Sequence, residues 1–110
     1  MPIKAGPAEE YTIFNTEEEV LEKLNKLRSY LTHMLGAEPH VPKSQWGYRN
    51  YYCAEVGSND EKDLIKLANI GLVRRDFTIN EGRDVYFFAT EKGMDAIGLT
   101  PKQKERALEQ

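Results

Sequence analysis

Residues able to act as nucleophiles or as general acids and bases are scarce in this sequence. The candidates are one cysteine, Cys53, and two histidines, His33 and His40. They are too few and too irregularly spaced for a structural zinc site. No phosphate-binding loop, dinucleotide fingerprint or paired histidine–carboxylate motif is present. We therefore predict a non-enzymatic protein with no catalytic residue, metal or cofactor, in which Cys53 is a small core residue and His33 suits the negative end of a helix.

A basic and aromatic segment offers the best binding chemistry. Pro39 to Cys53 contains two charged residues, and both are positive. Arginine and aromatic side chains stack on bases and also anchor protein interfaces. We predict that a partner binds the following side chains: Lys43, Trp46, Tyr48, Arg49, Tyr51 and Tyr52. In the alternative interpretation about half of the aromatics belong to the core, and the pattern of Ser44–Ala54 fits a helix or a strand equally well.

A second basic group is formed by three arginines, Arg74, Arg75 and Arg83. If a strand and the turn that follows it bring these side chains together, they form a patch suited to phosphate. The alternative is ordinary charge pairing along a hairpin, because Asp76, Glu81 and Asp84 lie close in sequence.

The first element that must support these groups is a long N-terminal helix. Residues 1–15 are predicted to be a flexible arm, and Thr16 with Glu19 forms a capping box that begins the helix. An apolar seam follows at steps of four and three: Val20, Leu24, Leu27, Leu31 and Met34. Gly36 ends the helix. The seam either packs on the domain's own core or forms a homodimer contact, since its spacing imitates a coiled coil.

The second half of the chain has the signals of a helix, a hairpin and two more helices. Ser58 and Glu61 form a capping box, and the helix behind it is predicted to bury Leu64, Ile65, Leu67, Ala68 and Ile70. A strand over residues 72–79 is predicted to place Val73, Phe77 and Ile79 on one face. Arg75 falls on the same face and is predicted either to snorkel or to lie near the sheet edge. A turn at residues 80–83 leads into a returning strand whose two faces are both bulky, so one face is predicted to be covered by helices and the other partly exposed.

The end of the chain has two further helix signals. Thr90 is predicted to cap a helix in which Met94 and Ile97 pack inward and Gly93 allows a close approach to a strand. Thr100, Pro101 and Gln103 begin a last helix. Residues 100–110 are almost wholly polar, which predicts a solvated tail or half of an interface.

The second half resembles the winged helix-turn-helix domain of bacterial and phage regulators. The residues that carry the resemblance are Gly71, Leu72, Val73, Arg75, Val85, Phe87, Thr90 and Gly93. More loosely, the chain is similar to small phage proteins with Arg-Asn-aromatic-aromatic ahead of such a unit. The resemblance implies a single α+β domain of winged-helix type over residues 16–99, with a β-hairpin wing and C-terminal helices. It also implies DNA binding and transcription regulation, with contacts from Asn59, Lys62, Lys66 and the three arginines.

Charge favours a different partner. The predicted recognition helix begins with Asp60, Glu61 and Asp63, and carboxylates facing phosphates would repel DNA. The net charge of -3 argues against a general polyanion binder. The alternative hypothesis is a phage-type factor that binds a host protein, such as a defence or transcription component. A single cysteine and no membrane-spanning run predict a cytoplasmic protein.

Overall fold

The protein is a small α+β domain with a three-stranded antiparallel sheet. The computed structural model describes the backbone of residues 17–110 and the side chains of residues 22–110. The predicted arm, the Thr16 cap and the Val20 side chain lie outside the described residues. In chain order the elements are α1 (Glu17–Leu35), a 3-10 turn (Lys43–Gln45), β1 (Tyr52–Glu55), α2 (Asn59–Asn69), β2 (Val73–Ile79), β3 (Asp84–Ala89), α3 (Glu91–Ala96) and α4 (Pro101–Leu108).

The central strand, β3, divides the sheet into a covered inner face and an open outer face. The strand order is β1-β3-β2, and Val85, Phe87 and Ala89 of β3 are buried against the helices. Tyr86 and Phe88 alternate with them and are half-buried on the outer face. The predicted division into one covered and one partly exposed face is confirmed.

A β-bulge changes which side of the sheet β2 presents. Arg75 lies opposite Phe87 and Thr78 lies opposite Val85, so Asp76 and Phe77 together oppose a single residue of β3. The extra residue reverses the alternation. Phe77 therefore lies on the outer face, where its ring stacks on Tyr86, and the prediction that it shares a face with Val73 is wrong.

The C-terminal half of α1 belongs to the core of the protomer. Leu31 and Met34 are fully buried, and Leu27 packs at the edge of the same cluster. Leu24 is 55% exposed. The core interpretation is confirmed for Leu31 and Met34. A dimer contact through those two side chains is wrong, because they are already covered within the protomer.

Helix α2 begins at the predicted cap. The Ser58 hydroxyl accepts from the Glu61 N–H at 3.1 Å, while the Glu61 carboxylate accepts from the N–H of Gly57 rather than of Ser58. Of the two bonds of a capping box, the one accepted by the Ser58 hydroxyl is present and the one from the Ser58 N–H is replaced by a bond from Gly57. Of the predicted core residues, Leu64 and Leu67 are buried, whereas Ile65 and Ile70 are 37% and 57% exposed. Burial of those two isoleucines was wrongly predicted, since Ile65 points away from the sheet and Ile70 lies beyond the last helical residue.

The last helix is part of the domain. Thr100 and Gln103 form a complete capping box, as predicted. The Gln103 side chain donates to the Lys43 carbonyl and Arg106 donates to the Trp46 carbonyl, each at 2.7 Å. Residues 100–110 are therefore neither a detached tail nor a free half-interface, because α4 is bonded to the loop that follows α1.

Candidate nucleic-acid interface

The three carboxylates at the start of α2 point into the domain. Glu61 and Asp63 are buried and Asp60 is half-buried. The Glu61 carboxylate also lies 3.6 Å from Arg75 of β2, which stays half-exposed at the sheet edge as predicted. The expectation that these acids would face a bound DNA is therefore wrong. The periodicity of a helix places them on the side that packs against α1 and the sheet.

Asp63 is the centre of a cluster of lysines. Its carboxylate oxygens lie 3.1 Å from Lys23, 3.5 Å from Lys26 and 3.8 Å from Lys66. The Tyr30 hydroxyl lies 3.0 Å from the same carboxylate. Burial acts to raise the pKa of Asp63, but the bonds from Lys23 and Tyr30 and the charge of Lys26 hold that pKa below its usual range. One negative charge thus draws three positive charges to this surface.

Asp60 is held by two phenols. It accepts from Tyr30 at 3.0 Å and from Tyr52 at 2.8 Å. Burial and the bond to Asp60 raise the pKa of Tyr52 to about 12. Burial and the bonds to both aspartates raise the pKa of Tyr30 as well. Both tyrosines are neutral donors at neutral pH, so Asp60 is hydrogen-bonded within the domain, whereas Asp63 also has lysines close to its charge.

This arrangement predicts a loss of stability at alkaline pH. In the folded state the pKa of Tyr52 is about 12, whereas in the unfolded chain the pKa of a tyrosine is about 10. The stabilisation is complete below pH 10 and is lost as pH rises towards 12. We expect Tyr52→Phe to cost about 1–2 kcal/mol at neutral pH, the loss of a bond to a charged group. In urea unfolding, the difference in free energy of unfolding between the wild type and Tyr52→Phe should become smaller between pH 10 and 12. A difference that stays constant over this range would contradict the bond between Tyr52 and Asp60.

The outward side of α2 carries four exposed polar residues, none of them a carboxylate, next to the exposed Ile65. It presents an exposed stripe at steps of three, four and three: Asn59, Lys62, Lys66 and Asn69. Lys62 and Lys66 are one turn apart, and like charges at that spacing repel slightly in a helix. Amide and ammonium groups are the donors that read base edges and neutralise phosphates. We name these four residues the α2 stripe.

Further cations border the α2 stripe. Lys23 and Lys26 approach it from α1 through Asp63. Lys92 reaches the Ile70 carbonyl at the far end of α2, at 2.8 Å. Sequence reasoning missed these three lysines. Lys23 and Lys26 lie on one side of α1 by their spacing, but only the fold shows that this side faces α2.

The three arginines predicted to form a patch are separated. Arg74 lies on the outer face, where it pairs with Asp76 at 3.1 Å. Arg75 pairs with Glu61 beside α2, and Arg83 donates to the Asn80 carbonyl within the turn. The hairpin-pairing interpretation holds for Arg74. Only Arg75 lies beside α2, so a common patch of the three is wrong.

The basic and aromatic segment is divided among several places. Lys43 and Trp46 line a groove between α1 and the following loop, and Tyr48 packs over Gly36 with Arg49 above its ring. Tyr52 bonds to Asp60, and Tyr51 is exposed beside Tyr86 on the outer face. The segment is neither one helix nor one strand, because β1 begins only at Tyr52. The six side chains therefore do not form one binding surface.

The remaining reactive residues show no catalytic arrangement in the described part of the chain. Cys53 is exposed on the outer face, so its predicted core position is wrong. His33 bonds to Glu38 at 2.9 Å near the end of α1. Within residues 22–110 no three His, Cys, Asp or Glu side chains come together in a group able to hold a metal ion. No helix described here is long and apolar enough to span a bilayer.

No protein-family model matches this chain, and neither a curated protein nor a solved structure is significantly similar to it. Function is therefore inferred from the geometry of α2 and the groups around it.

Proposed function

We propose that the protein is a non-enzymatic binding module that contacts double-stranded DNA through the α2 stripe. The observation that carries the proposal is the orientation of α2: its acids are buried or half-buried and hydrogen-bonded inside the domain, while its outward side offers two lysines and two asparagines. Inserted into a major groove, such a helix would place asparagine amides near base edges and lysines near phosphates.

The fold supports this proposal in part. The sheet order β1-β3-β2 and the hairpin after α2 are compatible with a winged-helix-like domain. A helix-turn-helix has two helices joined by a short turn, and α2 is alone between β1 and β2. The proposal therefore rests on one exposed helix and its bordering cations. A role in transcription regulation would follow from DNA binding at a specific site.

A dimer through α1 would have little surface to use. Of the described seam residues, only Leu24 is more than half exposed. A stable interface buries about 800 Å² on each partner, so such a dimer would need many neighbouring residues of α1 as well. DNA contact by a single protomer is therefore the form of the proposal.

Lys62→Ala is the direct test of the stripe. Lys62 is exposed on α2, so its truncation should leave the fold intact. We expect weaker binding to mixed-sequence duplex DNA and a salt dependence that is shallower by about one phosphate contact. The matched control is Lys102→Ala. Lys102 is an exposed lysine on α4, the helix that is bonded to the loop following α1. Equal effects of the two changes on the salt dependence would contradict a contact centred on α2.

The alternative hypothesis of a protein partner loses the surface on which it was based. The acids of α2 are turned inward, and the basic and aromatic segment is dispersed. A protein partner would have to use a different surface of the domain.

A further inference from the structure

The outer face of the sheet is an open aromatic surface. Phe77 and Tyr51 are about half exposed, at 51% and 49%. Phe77 of β2 and Tyr51, the residue before β1, both lie beside Tyr86. The Phe77 and Tyr86 ring centroids are 4.8 Å apart, and those of Tyr86 and Phe88 are 6.4 Å apart. The core residues of the helices cluster with Val85, Phe87 and Ala89, which lie on the other face. A row of aromatics left on this side is typical of a surface that meets a partner.

One end of this surface already holds an arginine. The Arg74 guanidinium lies 5.4 Å from the centroid of the Phe88 ring. The same guanidinium donates to Asp76 from two nitrogens, at 3.2 and 3.1 Å. This is a cation over an aromatic face with a carboxylate beside it. The Arg74 guanidinium thus shows how an arginine side chain can lie on the outer face, between an aromatic ring and a carboxylate.

The other end has the same aromatic and acidic groups without the cation. Asp84 precedes Tyr86 on the same face of β3, and Glu55 lies directly opposite Asp84 on β1. Like charges directly opposite each other on a sheet repel. Asp84 accepts only an amide bond, from Asn80, and the neighbouring Arg83 is directed to a backbone carbonyl. Within the described residues, neither carboxylate is paired with a cation.

We propose that the outer face binds a basic, arginine-containing segment of a protein partner, with a guanidinium on Tyr86 and Phe77 and its charge met by Glu55 and Asp84. This surface lies opposite the inner face and goes beyond the proposed DNA contact. Nucleic acid is disfavoured there, because phosphates would meet the two carboxylates. A second copy of the chain is also disfavoured as the partner. Its Arg74 is already paired with its own Asp76, and its Glu55 and Asp84 would add negative charge to the contact.

The single cysteine gives a site-specific probe of this surface. Cys53 is exposed and lies opposite Tyr86 on the outer face. Alkylation of Cys53 in the full chain can be followed while a synthetic peptide of alternating arginine and serine is added. We expect the peptide to slow alkylation in a saturable manner. A peptide of alternating glutamate and serine should give no protection.

Two variants test the chemistry of the site. Phe77→Ser removes an exposed ring and should weaken the arginine peptide about 3- to 30-fold, the range of a cation–π contact. Glu55→Gln should weaken it in a salt-dependent way. The controls are Ile70→Ser, an exposed apolar residue after α2, and Glu105→Gln, an exposed acid of α4. Neither should change the protection.

Three outcomes would overturn the proposal. The first is equal protection by the acidic and basic peptides. The second is an unchanged affinity for the arginine peptide in both Phe77→Ser and Glu55→Gln. The third is slow alkylation of Cys53 in the chain alone, relative to the same chain in urea, because the surface would then already be covered. Light scattering at the same concentration would show whether a second copy covers it.

Discussion

Gly93→Ala is expected to lower the free energy of unfolding more than any other substitution considered for this protein. A Cβ at Gly93 would overlap the Leu72 carbonyl oxygen and crowd the Leu31 side chain in the core. That oxygen has little freedom to move, because it accepts from the Thr90 N–H at 3.1 Å. Overlap with a fixed backbone atom costs more than ordinary overpacking, so we expect a loss above about 3 kcal/mol. Small domains have only about 5–15 kcal/mol to lose.

Urea unfolding followed by circular dichroism measures this effect. The control is Gly98→Ala, where nothing lies within 4 Å of an added Cβ but φ is +79°. Its cost should be the backbone strain alone, about 1–2 kcal/mol. A smaller loss for Gly93→Ala than for Gly98→Ala would show that α3 does not approach β2 as closely as described.

Asp63→Asn is expected to have the second largest effect on stability. The change leaves Lys23, Lys26 and Lys66 facing one another without the charge that attracts them. It also weakens the acceptor of Tyr30 in a buried position. The lysines keep partial access to water, which limits the cost to about 2–3 kcal/mol. Asp76→Asn is the control, because its pair with Arg74 is exposed and should be worth less than about 1 kcal/mol.

The effect of Asp63→Asn should depend on pH. The pKa of an aspartate in an unfolded chain is about 3.9, and the pKa of Asp63 in the folded state is lower than this value. Its stabilisation is therefore complete above pH 4 and is lost as pH falls through the folded pKa. We expect the wild type and the variant to converge in stability in strong acid. A difference that stays constant from neutral pH into acid would contradict the cluster around Asp63.

The local elements of this fold follow from its sequence. The caps at Ser58, Thr90 and Thr100 bind the backbone groups expected of them, because capping depends on neighbouring residues only. The close approach at Gly93 was likewise predictable, since a glycine within a helix after a strand has few other uses. The alternation along β3 fixed its two faces before any tertiary contact was known.

Features that depend on tertiary contacts were not predictable. The bulge at Asp76 and Phe77 changes which face of the sheet the following residues of β2 lie on. No glycine or other turn residue in the sequence indicates this bulge. The inward direction of Asp60 and Asp63 depends on Tyr30, thirty residues or more away. Lys62 and Lys66 do lie on the outward side of α2, but of the three predicted arginines only Arg75 lies beside this helix.

The salt dependence of DNA binding tests the central claim most directly. The measurement is the affinity of the full chain for a fluorescent mixed-sequence duplex over a range of salt concentrations. If Lys62, Lys66 and the bordering lysines meet phosphates, log K should fall with log salt at a slope of about -2 to -4. Binding that is absent at low ionic strength, or that does not respond to salt, would contradict a DNA contact through α2.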